Sequence, residues 1–261
     1  MHGLCVPGIG VKKMIVSVIT ICYNDAPHLE RTLKSVALQK ETFPHIQYIV
    51  VDGASTDATP DLLSRYRETI DVLISEPDKG IYDAMNKGLK KAAGDYLCFL
   101  NSGDKFHAQG QLEELFGGLE VLYAGQELPG VVYGETDIVD EEGHFLRKRV
   151  PRTPKALSHA SFLRGMCVCH QSFYARRDLA GEYDAERYRL SGDFDWCLDV
   201  LHRSKENYNS GLTLTDYLAE GMTTRHRKES LKERLRIMID HYGLVPALLA
   251  HLYFVLRLPF R

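Results

Sequence analysis

At 261 residues the chain suits one α/β domain with an elaborated tail. Its composition, 44% hydrophobic and 26% charged, is that of an ordinary globular protein, and a net charge of −3 argues against a nucleic-acid partner. The charge is uneven: residues 221–261 hold eight Lys/Arg against three Asp/Glu, which points to a basic tail with a partner of its own.

Residues 1–13 read as a loose leader with two lysines and no apolar stretch of the secretory kind, so reduced thiols and a cytoplasmic location are expected. The run Val16–Ile21 predicts a first strand that ends in Tyr23-Asn24. Asp25 can cap the helix that follows, with Pro27 in its first turn and Leu29, Leu33 and Val36 on one face. Tyr48–Val51 predicts a second strand running into Asp52-Gly53-Ala54-Ser55-Thr56-Asp57, where Asp57 suits a helix cap as well as a ligand. Thr59 and Pro60 suit the N-cap and first position of a helix through Tyr66. Val72–Ile74 is a short strand. Gly80 opens a third helix that turns Ile81, Ala84, Met85 and Gly88 one way, and Gly94 suits the left-handed position after its end. Tyr96–Leu100 is a third long strand, running into Asn101-Ser102-Gly103-Asp104. Val131–Gly134 and Phe145–Arg147 suggest a hairpin around Glu142-Gly143. From Ser191 a helix presents Phe194, Cys197, Leu198 and Leu201, and residues 228–258 are mostly helical.

Short β-rich runs separated by helical patterns predict a mostly parallel sheet, with ligands collecting outside the carboxyl ends of its strands. Three runs here end in carboxylates, amides, hydroxyls and glycines, a set suited to a phosphate-bearing ligand and a cation. The six cysteines are Cys5, Cys22, Cys98, Cys167, Cys169 and Cys197. Cys167-Val168-Cys169-His170 lacks the second ligand pair of a structural zinc site and reads as a packed or substrate-facing loop. A dinucleotide-dependent dehydrogenase is excluded, because no G-x-G-x-x-G follows the first or second strand. A nucleotidyltransferase would need a glycine-rich basic loop that Thr20–Asn24 does not supply. It stays an alternative, as does a non-catalytic sugar-nucleotide-binding protein.

The series Tyr23-Asn24, Asp52 to Asp57, Asp78-Lys79-Gly80, Asn86-Lys87-Gly88, Asn101 to Asp104 and Gly192-Asp193-Phe194-Asp195-Trp196 resembles the family 2 glycosyltransferases, in particular those of bacterial polysaccharide assembly. The likeness is closest over residues 14–106 and extends over 163–201. It implies a GT-A-type nucleotide-sugar-binding α/β sandwich over 14–222, with a helical segment over 223–261. It also implies an inverting transfer of sugar from a nucleoside diphosphate sugar to a hydroxyl of a saccharide or lipid-linked saccharide. On the donor side it places Tyr23, Asn24, Asp52, Asp78, Lys79, Asn86 and Asn101. Asp104 would hold a divalent cation, Mg²⁺ or Mn²⁺. Asn101 and Gly103 stand where the family often has acids, so only Asp104 keeps a charge there. Asp193 aligns with the catalytic base, and His170, Gln171, Asp195 and Trp196 would lie on the sugar or acceptor side.

In the tail, Arg225, Arg227, Lys228, Lys232, Arg234 and Arg236 precede an apolar stretch, Leu244–Leu256, broken by Pro246 and His251. It is too short to span a bilayer, and basic residues beside it suit an anionic surface such as the inner face of the cell membrane. Packing on the catalytic domain or against a second subunit is the alternative.

Overall fold

The computed structural model describes residues 13–219 and 227–256. Cys5, Arg225 and residues 257–258 lie outside that range. The strands are β1 (Val16–Cys22), β2 (Ile46–Asp52), β3 (Val72–Ser75), β4 (Tyr96–Phe99), β5 (Lys105–Phe106), β6 (Val131–Val139), β7 (Phe145–Lys148), β8 (Phe173–Arg176) and β9 (Asn207–Leu218). They make one sheet in the order β3-β2-β1-β4-β8-β6-β9-β5, with β7 beside β6. From β3 to β4 the strands are parallel. Beyond β4 the pairing is antiparallel except between β6 and β9, so the sheet is mixed.

β1 is buried on both faces. Val16 and Val18 point to α1 (Ala26–Thr42), whose Leu29, Leu33 and Val36 meet them, and Ile19 and Ile21 point to α3 (Ile81–Leu89). Alternation with a period of two therefore feeds two cores, one on each side of the sheet. Cys22 pairs with Asp52 and Asp52 with Ser75, so three strands end in one line. Between β1 and β4 the chain order reverses direction across the sheet, and a crevice opens at such a switch point.

Two helix starts differ in detail from expectation. Thr59 is the first residue of α2 (Thr59–Arg65), with Ala58 at the N-cap. Asp57 does the capping work from outside: its carboxylate accepts the Thr59 N–H at 2.9 Å and the Ala26 N–H at 3.2 Å. The Thr59 hydroxyl, and then these backbone bonds, favour the charged form and lower its pKa. Asp25 stands at the N-cap of α1 but binds His28 Nδ1 at 2.5 Å instead of a backbone amide. Gly94 is not left-handed. It is needed for close approach, because a Cβ there would lie 2.7 Å from Ile15 O and Ser17 N in β1.

The hairpin β6–β7 turns through Asp140–His144 as expected. Helix α4 (Gln111–Leu122) and strands β5, β8 and β9 were not legible beforehand. The tail forms α6 (Arg227–Tyr242) and α7 (Leu244–Leu256), separated by Gly243 at φ +83°. Among the described residues no helix is long and apolar enough to cross a membrane.

Candidate active site

Two adjoining cavities, of about 360 and 410 Å³, open on the carboxyl side of the parallel strands and share Ile81, Tyr82, Arg189 and Leu190. The first is lined by Asn101, Asp104, His170, Gln171 and Asp193, bringing together residues up to 92 positions apart in the chain. Lys79 lines the second.

Asp104 follows β4 and is buried at 3% exposure. Its Oδ1 accepts the Leu218 N–H and its Oδ2 the Gln171 Nε2–H, both at 3.0 Å. Loss of water outweighs these bonds and pushes its pKa up to about 7. Beside it, Asn101 Oδ1 and Ser102 Oγ are buried with no protein partner. Buried polar oxygens are normally satisfied, so these two, beside the Asp104 carboxylate, are matched to something the cavity takes in. An Asp, an amide carbonyl and a hydroxyl are the oxygen donors a hard cation accepts, with phosphates and water completing the shell.

Asp193 sits in the first turn of α5 (Gly192–Arg203), where the helix dipole favours a carboxylate. Tyr82 OH donates to its Oδ1 at 3.3 Å. The helix start is held by α6. Glu233 accepts the backbone N–H groups of Arg189, Leu190 and Ser191 at 2.9–3.0 Å. Ser191 Oγ does not cap α5; it meets Ser230 Oγ at 3.0 Å.

Several expected ligand residues make their hydrogen bonds within the protein frame. Asp52 is 1% exposed, and its oxygens accept Ser55 Oγ–H at 2.5 Å and Ser75 Oγ–H at 2.7 Å, so it shapes its own loop. Asn86 gives both halves of its amide to the Tyr183 backbone, at 2.9 and 2.7 Å. Trp196 is 2% exposed, donates to Gly181 O at 2.7 Å and stacks on Tyr183. Asp195 accepts from His241 Nε2 at 3.0 Å, away from the cavity. Gln171 braces Asp104 as described. His170 stacks on Phe99 and pairs Nε2 with Tyr183 OH at 2.8 Å. Burial lowers its pKa to about 4, so its ring is neutral at pH 7.

Tyr23, Asn24 and Asp78 line neither cavity: Tyr23 is exposed, and Asn24, at φ 49°, accepts the Thr56 N–H on Oδ1 at 2.8 Å. Gly53 lies between Tyr23 and Asp78: a Cβ there would be 2.5 Å from Asp78 Oδ2 and 3.2 Å from the Tyr23 ring. An aromatic face and a carboxylate thus share a gap that only glycine leaves open.

Among the described residues Cys167, Cys169 and His170 do not gather into a cluster of potential metal ligands. Cys169 donates to Gln171 Oε1 at 3.0 Å, and burial raises both thiols, Cys167 to about 11. Of two other potential metal clusters among the described residues, His107, Asp137 and Asp216 are already matched by Lys105 at 2.6 Å and Lys148 at 2.7 Å. The second, Asp140, Glu142 and His144, is the exposed turn of the β6–β7 hairpin.

Sequence reasoning missed Arg149, Arg189, Arg234, Tyr82 and Tyr217 on the cavity wall. None stands in a motif, and the chain brings them in from α3, the end of the β6–β7 hairpin, the loop before α5, β9 and the tail helix α6.

Residues 17–183 match the family described as glycosyl transferase family 2. An uncharacterized glycosyltransferase of Mycobacterium tuberculosis is 48% identical over 187 residues, 70% of this chain and 67% of the relative. A putative teichuronic acid biosynthesis glycosyltransferase of Bacillus subtilis, TuaG, is 29% identical over 78% of this chain and 79% of its own. Among solved structures, Staphylococcus aureus TarS in complex with UDP-GlcNAc superposes with a TM-score of 0.69 at 17% identity, over 92% of this chain and 73% of TarS. The mannosyltransferase PcManGT from Pyrobaculum calidifontis, in complex with GDP-Man and Mn²⁺, gives 0.60 at 19% identity, over 95% and 72%. At such identities the structural likeness shows the fold.

Proposed function

The chain belongs to glycosyl transferase family 2, and on that premise we propose that it transfers a sugar, with inversion, from a nucleoside diphosphate sugar to a hydroxyl of a saccharide or lipid-linked saccharide. The reading places it in cell-surface polysaccharide or glycolipid assembly, in keeping with what the TuaG name says of that relative. The observation that carries the reaction is that Asp193 and Asp104 line one cavity at the switch point of the sheet.

In this reading the acceptor oxygen attacks the anomeric carbon while Asp193 takes its proton. The bond from that carbon to the β-phosphate oxygen breaks, and the nucleoside diphosphate leaves with the electron pair. Tyr82 holds the Asp193 carboxylate in place through its hydroxyl. Asp104, with Asn101 and Ser102, would hold Mg²⁺ or Mn²⁺, which when bound offsets charge on the diphosphate. Tyr23 and Asp78, on either side of Gly53, would take the base.

A thermal-shift panel of UDP, GDP, dTDP and CMP, with and without Mn²⁺, tests this. One nucleoside diphosphate is expected to raise Tm, and more so with Mn²⁺. No shift with any of them would remove donor binding and the reading with it.

We also place α7 on the anionic surface of the cell membrane, on its inner face. The helix exposes Leu244, Val245, Leu248, Leu249 and Leu252, next to exposed Lys228, Lys232 and Arg236 of α6. The full chain is expected to float with vesicles of anionic phospholipid. The variant V245E/L249E is expected to stay behind. Equal flotation of the two would sink the membrane assignment.

A further inference from the structure

The cavity has more cationic charge than a single carboxylate pair explains. Arg149, Arg189 and Arg234 line it together with Asp104 and Asp193, the only carboxylates on its wall among the described residues. Among the described residues none of the three guanidiniums forms an ion pair with a carboxylate. Arg149 donates to the Met166 carbonyl at 2.9 Å. Arg234 lies over the Phe194 ring at 5.7 Å, and its Nε is buried without a partner. A guanidinium N–H removed from water and left without an acceptor is costly, and it is retained where a ligand supplies one. Planar guanidiniums suit phosphate oxygens in pairs of hydrogen bonds.

Arg234 also comes from an unusual place. It is on α6, beyond the residues 17–183 that match the family. The preceding residue, Glu233, holds the loop that carries Arg189 and leads into Asp193. One turn of the tail helix therefore fixes the approach to the proposed base and places a cation in the same cavity.

We propose that Arg234 binds the departing diphosphate of the donor, acting with Arg149 and Arg189 on the terminal phosphate, so that α6 is part of the donor site. The acid-poor Asn101-Ser102-Gly103-Asp104 segment fits this arrangement: guanidiniums offset charge that additional carboxylate-bound cation would otherwise offset. The proposal rests on the donor reading above.

The test is calorimetric titration of the full-length protein with UDP and GDP and with the matching monophosphates UMP and GMP, in the wild type, Arg234→Gln and Arg234→Lys. The Gln variant is expected to lose about 10- to 100-fold in affinity for the diphosphate while its monophosphate affinity stays within about twofold. The Lys variant, keeping the charge but not the fork, is expected to fall in between. Unchanged diphosphate affinity in Arg234→Gln would overturn the proposal, and so would an equal loss for monophosphate and diphosphate, which marks a packing role. Failure of the wild type to bind either diphosphate would overturn the donor reading itself, a result distinct from the other two.

Discussion

Asp193→Asn is expected to lower sugar transfer by about 10²- to 10⁴-fold while donor affinity stays nearly unchanged. The substitution keeps the size of the side chain and an oxygen for the Tyr82 hydroxyl, which now donates to Oδ1 at 3.3 Å. It replaces the carboxylate, basic enough to take the acceptor proton, with an amide that is not. Packing at the start of α5 should survive, because Glu233 and Ser230 hold that turn from α6 without using Asp193. Asp195→Asn should cost much less turnover, since Asp195 faces His241 and is absent from the cavity wall. The check is turnover and donor affinity for both variants, using the nucleotide sugar picked out by the thermal-shift panel. The reverse ranking would move the base to Asp195, and wild-type turnover in Asp193→Asn would leave the reaction without its central residue.

The parallel half of the sheet was legible because its signals are local. Strands such as Val16–Cys22 are buried on both faces and read as unbroken apolar runs, and their ends carry the polar residues that the crevice needs. The other half was not, because β9 breaks its own pattern. Its pairing with β6 shifts register twice between Tyr133 and Thr136, and Gly211 interrupts the run. A strand whose alternation slips gives no clean period.

The site shows the same division. Asp104, Asp193 and Asn101 stand where their motifs suggest, on one cavity. Asp52, Asn86 and Trp196 have the residue types of a ligand site, yet each makes its hydrogen bonds inward. A sequence shows that a polar group stands at a strand end; it does not show which way the group is turned, and a buried one must be satisfied by whatever is nearest. For the tail the sequence offers a membrane surface, or packing on the catalytic domain or against a second subunit, and nothing local marks which helix does what. α6 is tied to the domain, since Arg187 and Tyr188 bind Asp240 at 2.6 and 3.2 Å and Glu233 holds the loop before α5. Nothing local marks Glu233 or Arg234, because their partners lie some 40 residues earlier.

Asp104→Asn is expected to make the unliganded protein more stable than the wild type at pH 8, with the difference vanishing towards pH 4. Burial is the main cause of the raised Asp104 pKa, about 7 against an ordinary 3.8. As the pH rises through this window the unfolded chain gives up the proton while the folded chain keeps it. Stability from this group is therefore complete below about pH 4 and is lost by the time the pH passes 7. The full span corresponds to on the order of 4 kcal/mol, which a neutral Asn does not forfeit. The Asn Oδ1 can still accept the Leu218 N–H, and Gln171 can turn its amide over to face the new donor. A divalent cation in the cavity reverses the sign, because it favours the carboxylate and stabilises the charged form. Mn²⁺ with a nucleoside diphosphate should therefore raise Tm of the wild type by several degrees at pH 8 and leave Asp104→Asn where the nucleotide alone puts it. Thermal melts of both proteins from pH 4 to 8, with and without Mn²⁺ and nucleotide, decide the matter. A stability difference independent of pH would mean that Asp104 ionises like an exposed carboxylate. An Mn²⁺ response that persists in the variant would take Asp104 out of the cation site.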